Sequence, residues 1–214
     1  MKKTLKVLGL LVVAAAMFTG CKKDADDGEK NIQEALFDKA EATKNADKVN
    51  YTDGSWTMRF ISTIENPYVT KYIVARELNY KFNGNTLDET AFSYVESGTV
   101  VAKEDISEED KANAKKEGFT NFSGKEATYY RECNYEKYVE LSEKFGDKDE
   151  DQIADEDKID YLLYSNVNYG MMAAMMLGSG HNFDEFKSND AGTKYYGKRS
   201  RSSGITEEYY IVKN

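Results

Sequence analysis

Four groups of residues have the types and spacing to do chemistry. Gly178-Ser179-Gly180-His181 sets the chain's only histidine two residues from a serine. A nucleophile elbow needs glycine two places before the serine, and Leu177 stands there; triads are also assembled from distant parts of a chain. No catalytic residue is assigned. Asp147-Lys148-Asp149-Glu150-Asp151-Gln152, followed by Asp155-Glu156-Asp157, gathers carboxylates as calcium loops do. Gln152 replaces the glycine of the sharp turn, however, and Lys158 replaces the bidentate glutamate, so the segment reads as a solvated loop between helices, with no metal site and at most weak calcium binding at Asp147–Asp151. Lys198-Arg199-Ser200-Arg201 could grip an anion, but a three-residue loop at Ser202-Ser203-Gly204 would put Arg199 across from Glu207 and Lys198 across from Glu208, with Tyr196 facing Tyr210. Cys133 reads as a small buried thiol at a helix entrance.

Composition narrows the classes further. The chain has 214 residues, 38 of them acidic and 29 basic. Lys2, Lys3 and Lys6 precede Cys21, so a chain beginning at Cys21 keeps 26 basic residues and a net charge of −12. That balance excludes nucleic acid as a partner. One His and two Cys exclude zinc and disulfide scaffolds, and no phosphate loop or dinucleotide fingerprint occurs; no cofactor is expected.

The start of the chain has a different logic. A basic leader, Met1 to Lys6, precedes an apolar run from Val7 to Phe18 that is too short to span a bilayer, and Phe18-Thr19-Gly20-Cys21 closes it. This resembles a bacterial lipobox. The resemblance implies a signal peptide over 1–20, cleavage after Gly20, and lipidation of Cys21, including acylation of its new amino terminus. Lys22, where Asp would favour inner-membrane retention, implies the outer membrane, with periplasmic and surface orientations both open. Residues 21–30 are charged and lack large apolar side chains, and should form a solvated tether.

The remainder, 31–214, reads as one α+β domain: an antiparallel sheet or partial barrel with inserted helices. Ile32, Leu36 and Ala40 predict a modest helix within Asn31–Asp47. Trp56, Met58 and Phe60 alternate as a half-buried strand, which Pro67 ends. Tyr72, Val74, Leu78, Tyr80 and Phe82 share a strand face on which Arg76 also falls, as a bulge or as a charge facing a cavity. Asn83-Gly84 predicts a hairpin turn, with Leu87–Val101 returning and broken at Gly98. Helices are predicted from Ser107 to Gly118, from Asn134 to Phe145 with Gly146 as stop, and around Ile159, Leu162 and Leu163. Tyr169–Leu177, with Met171, Met172, Met175 and Met176, reads as a buried helix. The strands form an early and a terminal group.

Gly54-Ser55-Trp56, opening the first strand after a short helix, resembles the entry to a lipocalin-like barrel. The resemblance implies a Trp56 that plugs one end of a ligand cavity, with Arg199 or Arg201 packed across the indole; with the aromatic strand face roofing such a cavity, Trp56, Tyr72, Tyr80 and Arg76 are the candidate ligand-binding residues. The helix-rich span from Ser107 to Leu177 departs from an eight-stranded meander, so the barrel would be partial. Two non-enzymatic functions follow: carriage of a small apolar ligand in that barrel, or protein interaction, adhesin-like or structural, by a domain with a filled core and a Tyr-rich surface.

Growth on labelled palmitate should label the protein, and Cys21→Ala should leave it unlabelled and soluble. Label or membrane association that survives the substitution would refute the lipobox assignment.

Overall fold

The computed structural model describes residues 32, 35–51, 54–64, 69–84, 86–116, 127–180, 183–201 and 204–214. Cys21, Pro67, Gly118, His181, Ser202 and Ser203 lie outside them, as do the predicted signal peptide and tether. All pairings within the nine-stranded sheet are antiparallel. Its strands are β1 (Lys44–Asn45), β2 (Ser55–Ile64), β3 (Val69–Asn83), β4 (Thr86–Leu87), β5 (Ser93–Ala102), β6 (Ala127–Asn134), β7 (Glu185–Ser188), β8 (Lys194–Ser200) and β9 (Ile205–Lys213). They lie in the order β1-β7-β8-β9-β2-β3-β5-β6, with β4 a short extension on β3. Among the described residues the sheet is open, and three α-helices accompany it, an α+β fold: α1 (Glu108–Lys116), α2 (Tyr135–Phe145) and α3 (Lys158–Ser179).

The two strand groups are one sheet, because β9 pairs with β2 from Trp56↔Lys213 to Ile64↔Ile205. The terminal hairpin has the register deduced from its loop: Lys198↔Glu208, Arg199↔Glu207 and Tyr196↔Tyr210, with Gly204 at φ +77°. Alternation puts Trp56, Met58, Phe60 and Ser62 of β2 on one face with Arg76, Leu78 and Tyr80 of β3. Arg76 sits in unbroken register with Phe60 and Glu96, so there is no bulge at that position.

The 22-residue α3 unites the two predicted helical pieces and lies over this inner face. It presents Leu163, Val167, Gly170, Ala173, Ala174 and Leu177, and Gly170 is set against the Tyr94 ring. Of the methionines, Met171 and Met172 are partly buried against the edge of the core, and Met175 faces out at 59% exposed. The expectation that this stretch is buried all round is therefore corrected, since small residues make the close contact. Asn134 caps α2, its Oδ1 accepting from Lys137 N at 2.8 Å, and Leu141 and Phe145 enter the core. Ser107 Oγ caps α1 by accepting from Asp110 N at 3.0 Å.

Three local expectations are corrected. Within the described part of Asn31–Asp47 there is one 3₁₀ turn, Lys39–Glu41, and the strand β1, because Leu36, Phe37 and Ala42 pack on Tyr196 and Tyr210 of the outer sheet face. The hairpin turn falls one residue later than predicted: Asn83 still pairs with Thr86, and Gly84 takes φ +66°. The return strand breaks at a 3₁₀ turn, Glu89–Ala91, where Asp88 accepts from Thr90 N, and Gly98 stays in register. β6 and β7 are absent from the predicted strands, although Thr128-Tyr129-Tyr130 of β6 is rich in β-formers.

Gly98 is in strand because Tyr129 of β6 lies flat over it; a Cβ there would come within 2.2 Å of the ring. Gly98→Ala should therefore destabilise the domain by about 1–3 kcal/mol in urea unfolding. An unchanged midpoint would show that Tyr129 moves aside freely.

Candidate functional site

The inner face divides into two ends. Around Trp56 it is aromatic. Tyr51 meets Trp56 edge-on at 5.2 Å and Tyr80 at 5.3 Å, and Tyr195 packs against the indole at 6.2 Å. Trp56 is 1% exposed. The cation over it is Lys213, with Nζ 5.9 Å from the indole, in place of the expected arginine; Arg201 lies instead over Tyr169 at 5.2 Å.

The other end is polar and equally buried. Glu96 of β5 accepts from Arg76 Nε at 2.9 Å and from Tyr94 Oη at 2.7 Å, both at Oε2, and from Asn166 Nδ2 of α3 at 2.9 Å. Arg76 Nη1 donates to Ser62 Oγ at 3.0 Å. Glu207 of β9 is held in parallel fashion. Tyr169 Oη of α3 donates to it at 2.6 Å, Tyr209 Oη at 3.1 Å and Arg201 Nε at 3.1 Å, and Arg201 also reaches the Tyr169 hydroxyl. Each carboxylate thus accepts from an arginine, from a tyrosine hydroxyl two residues away on its own strand, and from one side chain of α3. Burial alone would lower the pKa of Arg76, but the adjacent Glu96 carboxylate holds it well above the ordinary guanidinium value. Burial pushes Tyr72 and Tyr169 up to about 12, with Glu207 adding to the rise in Tyr169, so both hydroxyls stay protonated, and Tyr169 donates to Glu207.

The four predicted ligand-binding residues share this face but not one site. Tyr72 and Arg76 belong to the polar end, and Trp56 with Tyr80 to the aromatic end. The two ends are separated by about 13 Å of strand, filled by Met58, Leu78 and Phe60. Phe60 itself stacks on Tyr209 at 5.5 Å and meets Tyr169 at 6.0 Å. Sequence reasoning missed Glu96, Asn166, Tyr169 and the buried role of Glu207. The signal available was Arg76 itself, since a cation on an apolar face requires a carboxylate at the same level on a neighbouring strand.

The other candidate groups are occupied structurally. Glu207 pairs with Arg201, the diagonal neighbour of its register partner Arg199, while Glu208 accepts from Tyr196 Oη at 2.5 Å and lies 3.7 Å from Lys39. In the acidic loop Asp157 pairs with Lys144, Asp155 with Lys158, and Gln152 Oε1 accepts from Asp149 N; no group of metal-ligating residues converges among the described residues. Ser179 Oγ donates to Met176 O at 3.1 Å, closing α3. Cys133 is buried at the entrance to α2, and burial pushes its thiol up to about 11. A groove of about 630 Å³ opens at the rim between Asn45–Asp47 and Phe183–Lys187. Phe186 stacks on Tyr195 there, walling the groove from Trp56.

No family model, curated protein or solved structure matches this chain.

Removing one member of a buried ion pair leaves an uncompensated charge, at about 3–5 kcal/mol. Arg76→Met should destabilise the domain by that amount in urea unfolding followed by Trp56 emission, and the double variant Arg76→Met/Glu96→Leu should recover most of the loss. A double variant no more stable than the single one would show that the pair is not the source of the effect.

Proposed function

We propose that this chain is a lipid-anchored, non-enzymatic protein of the outer membrane, held by Cys21, that works by binding another protein through its outer surface. The observation that carries this reading is the placement of α3. A carrier needs its interior free, and here Asn166, Tyr169, Gly170 and Ala174 of α3 fill the space over the inner sheet face, joined to it by Glu96 and Glu207. With the interior committed to packing, recognition falls to the outer sheet face, the edges and the helix surfaces. Exposed Tyr130, Val139, Ile159 and Met175 offer apolar contacts there.

One observation favours carriage of a small apolar ligand. The buried Tyr51 and Tyr80 hydroxyls interact with each other, and neither has a further hydrogen-bond partner among the described residues. A ligand with an apolar body and one polar group would satisfy both, next to Trp56.

Trp56 is the only tryptophan and decides between the two. Burial of Trp56 should give a blue-shifted emission, and fatty acids titrated into the folded protein should leave it unchanged on the interaction reading. A saturable change, lost in Tyr80→Phe, would replace that reading with carriage.

A further inference from the structure

From residue 161 to residue 179 the sequence of α3 holds no charged side chain. One side of the helix is buried against the sheet. On the other, Tyr161, Ser165, Asn168, Met172, Met175 and Ser179 follow at alternating spacings of four and three, and all six are at least partly exposed. A helix side turned to water ordinarily carries charge, and a helix apolar all round is ordinarily covered all round. Here α2 covers only the first half. Tyr138 packs on Tyr164 at 6.1 Å and its hydroxyl donates to Asn168 Oδ1 at 2.8 Å, while Phe145 meets Tyr161 edge-on at 5.6 Å. Past Asn168, α3 runs on for a further three turns, about 16 Å. There Met172 and Met176 are half-buried and Met175 is 59% exposed.

The charge beside this side has one dominant sign. Residues 135–160 include 11 acidic and 4 basic side chains. Lys144 is bonded to Asp157 and Lys158 to Asp155, while Asp149, Glu150, Asp151 and Glu156 stay exposed. Glu150 and Asp149 stand close to Tyr161, since burial raises the pKa of its hydroxyl and these two carboxylates raise it further. The exposed line thus starts at carboxylates and ends on methionines.

We propose that this side of α3 is the docking surface for a cationic amphipathic helix of another protein. The inference rests on the interaction reading and names the partner's chemistry. Spacings of four and three make the ridge that a second helix packs against at a crossing angle of about 20°. Methionine side chains, unbranched and polarisable, adapt to the apolar residues such a helix presents. From Tyr161 to Met176 the face is about 22 Å long, so a partner segment of about 15 residues spans it. Its Leu, Ile or Phe lie over Met172, Met175 and Met176, and its Lys or Arg lie over Asp149 and Glu150. A second copy of this acidic chain, or an anionic lipid surface, would bring like charge to the same place.

The test uses the full chain with Cys21→Ser, so that no lipid is attached, and a peptide of about 18 leucine and lysine residues patterned as an amphipathic helix. Fluorescence anisotropy of the labelled peptide should show saturable binding, and the same peptide with glutamate in place of lysine should not bind. Met175→Ser should weaken binding about fivefold and Met172→Ser/Met175→Ser about twentyfold, because apolar contact is lost with no change of charge. Asp149→Asn/Glu150→Gln should weaken it about threefold and flatten its dependence on salt. Urea unfolding followed by Trp56 emission verifies that each variant folds, and Met175 is exposed enough to be changed without touching the core. Absence of binding, binding unchanged in Met175→Ser, or equal binding of the glutamate peptide overturns the proposal. So does a dimer in light scattering, or attachment to phosphatidylglycerol vesicles, that Met175→Ser abolishes, since the surface would then belong to a second copy or to a membrane. The Trp56 titration judges the interaction reading separately: a fatty-acid response in a chain that still binds the peptide would remove that reading and leave this surface intact.

Discussion

Two buried carboxylates govern how this domain is put together. Glu96 and Glu207, both 0% exposed, come from strands on opposite sides of the β2–β3 pair. Each must find compensation inside the protein, because a buried unpaired charge is far more costly than any single apolar contact can offset. The nearest arginines supply part of it. The rest comes from Asn166 and Tyr169, three residues apart and so on one face of α3. A helix sliding over an apolar face loses little at each step, whereas a helix whose Asn166 and Tyr169 must meet two fixed carboxylates has a single seat. Polar groups set the position of α3, and apolar burial around them supplies most of the stabilisation.

That seat depends in turn on the sheet's continuity. Glu207 lies on the last strand and Glu96 on a strand more than a hundred residues earlier, and they come under one helix only because β9 pairs with β2 along its length. The pairing closes late in the chain, after α3 has been made. Sheet and helix therefore complete each other: β9 brings Glu207 to Tyr169, and Tyr169 helps to fix β9 at the level of Ser62.

What could be read from the sequence was local. The terminal hairpin's register follows from Gly204 and loop length, and the α2 boundaries follow from Asn134 and the Tyr138, Leu141 and Phe145 spacing. Trp56, Met58 and Phe60 declare their face by alternation. Failures occurred where tertiary contact decides. Leu36 and Ala40 share a helical spacing, yet Phe37 and Ala42 dock on Tyr196 and Tyr210 in a non-helical path. Glu207 looked like a surface partner for Arg199 because charge on a hairpin usually faces water. Its burial follows from Arg201 and Tyr169, and no local pattern encodes a helix residue 38 positions away. Arg76 was legible as an anomaly, but its answer lay on another strand.

The division of the inner face into an aromatic and a polar end has a functional consequence. A small-molecule pocket needs walls that hold their shape when empty and polar groups left over to orient a guest. At the polar end, the carboxylates and guanidiniums of Glu96, Arg76, Glu207 and Arg201 are spent on one another and on α3, with no charge left over among the four. Tyr51 and Tyr80 keep hydroxyl capacity at the aromatic end, but Trp56, Phe82 and Tyr195 crowd around them. Opening either end would require α3 or the Tyr51 segment to leave its seat, and for α3 that means breaking the contacts to both carboxylates at once. The interior is thus held at one end by the hydrogen bonds of α3 to Glu96 and Glu207 and at the other by the packing of Tyr51 on Trp56 and Tyr80.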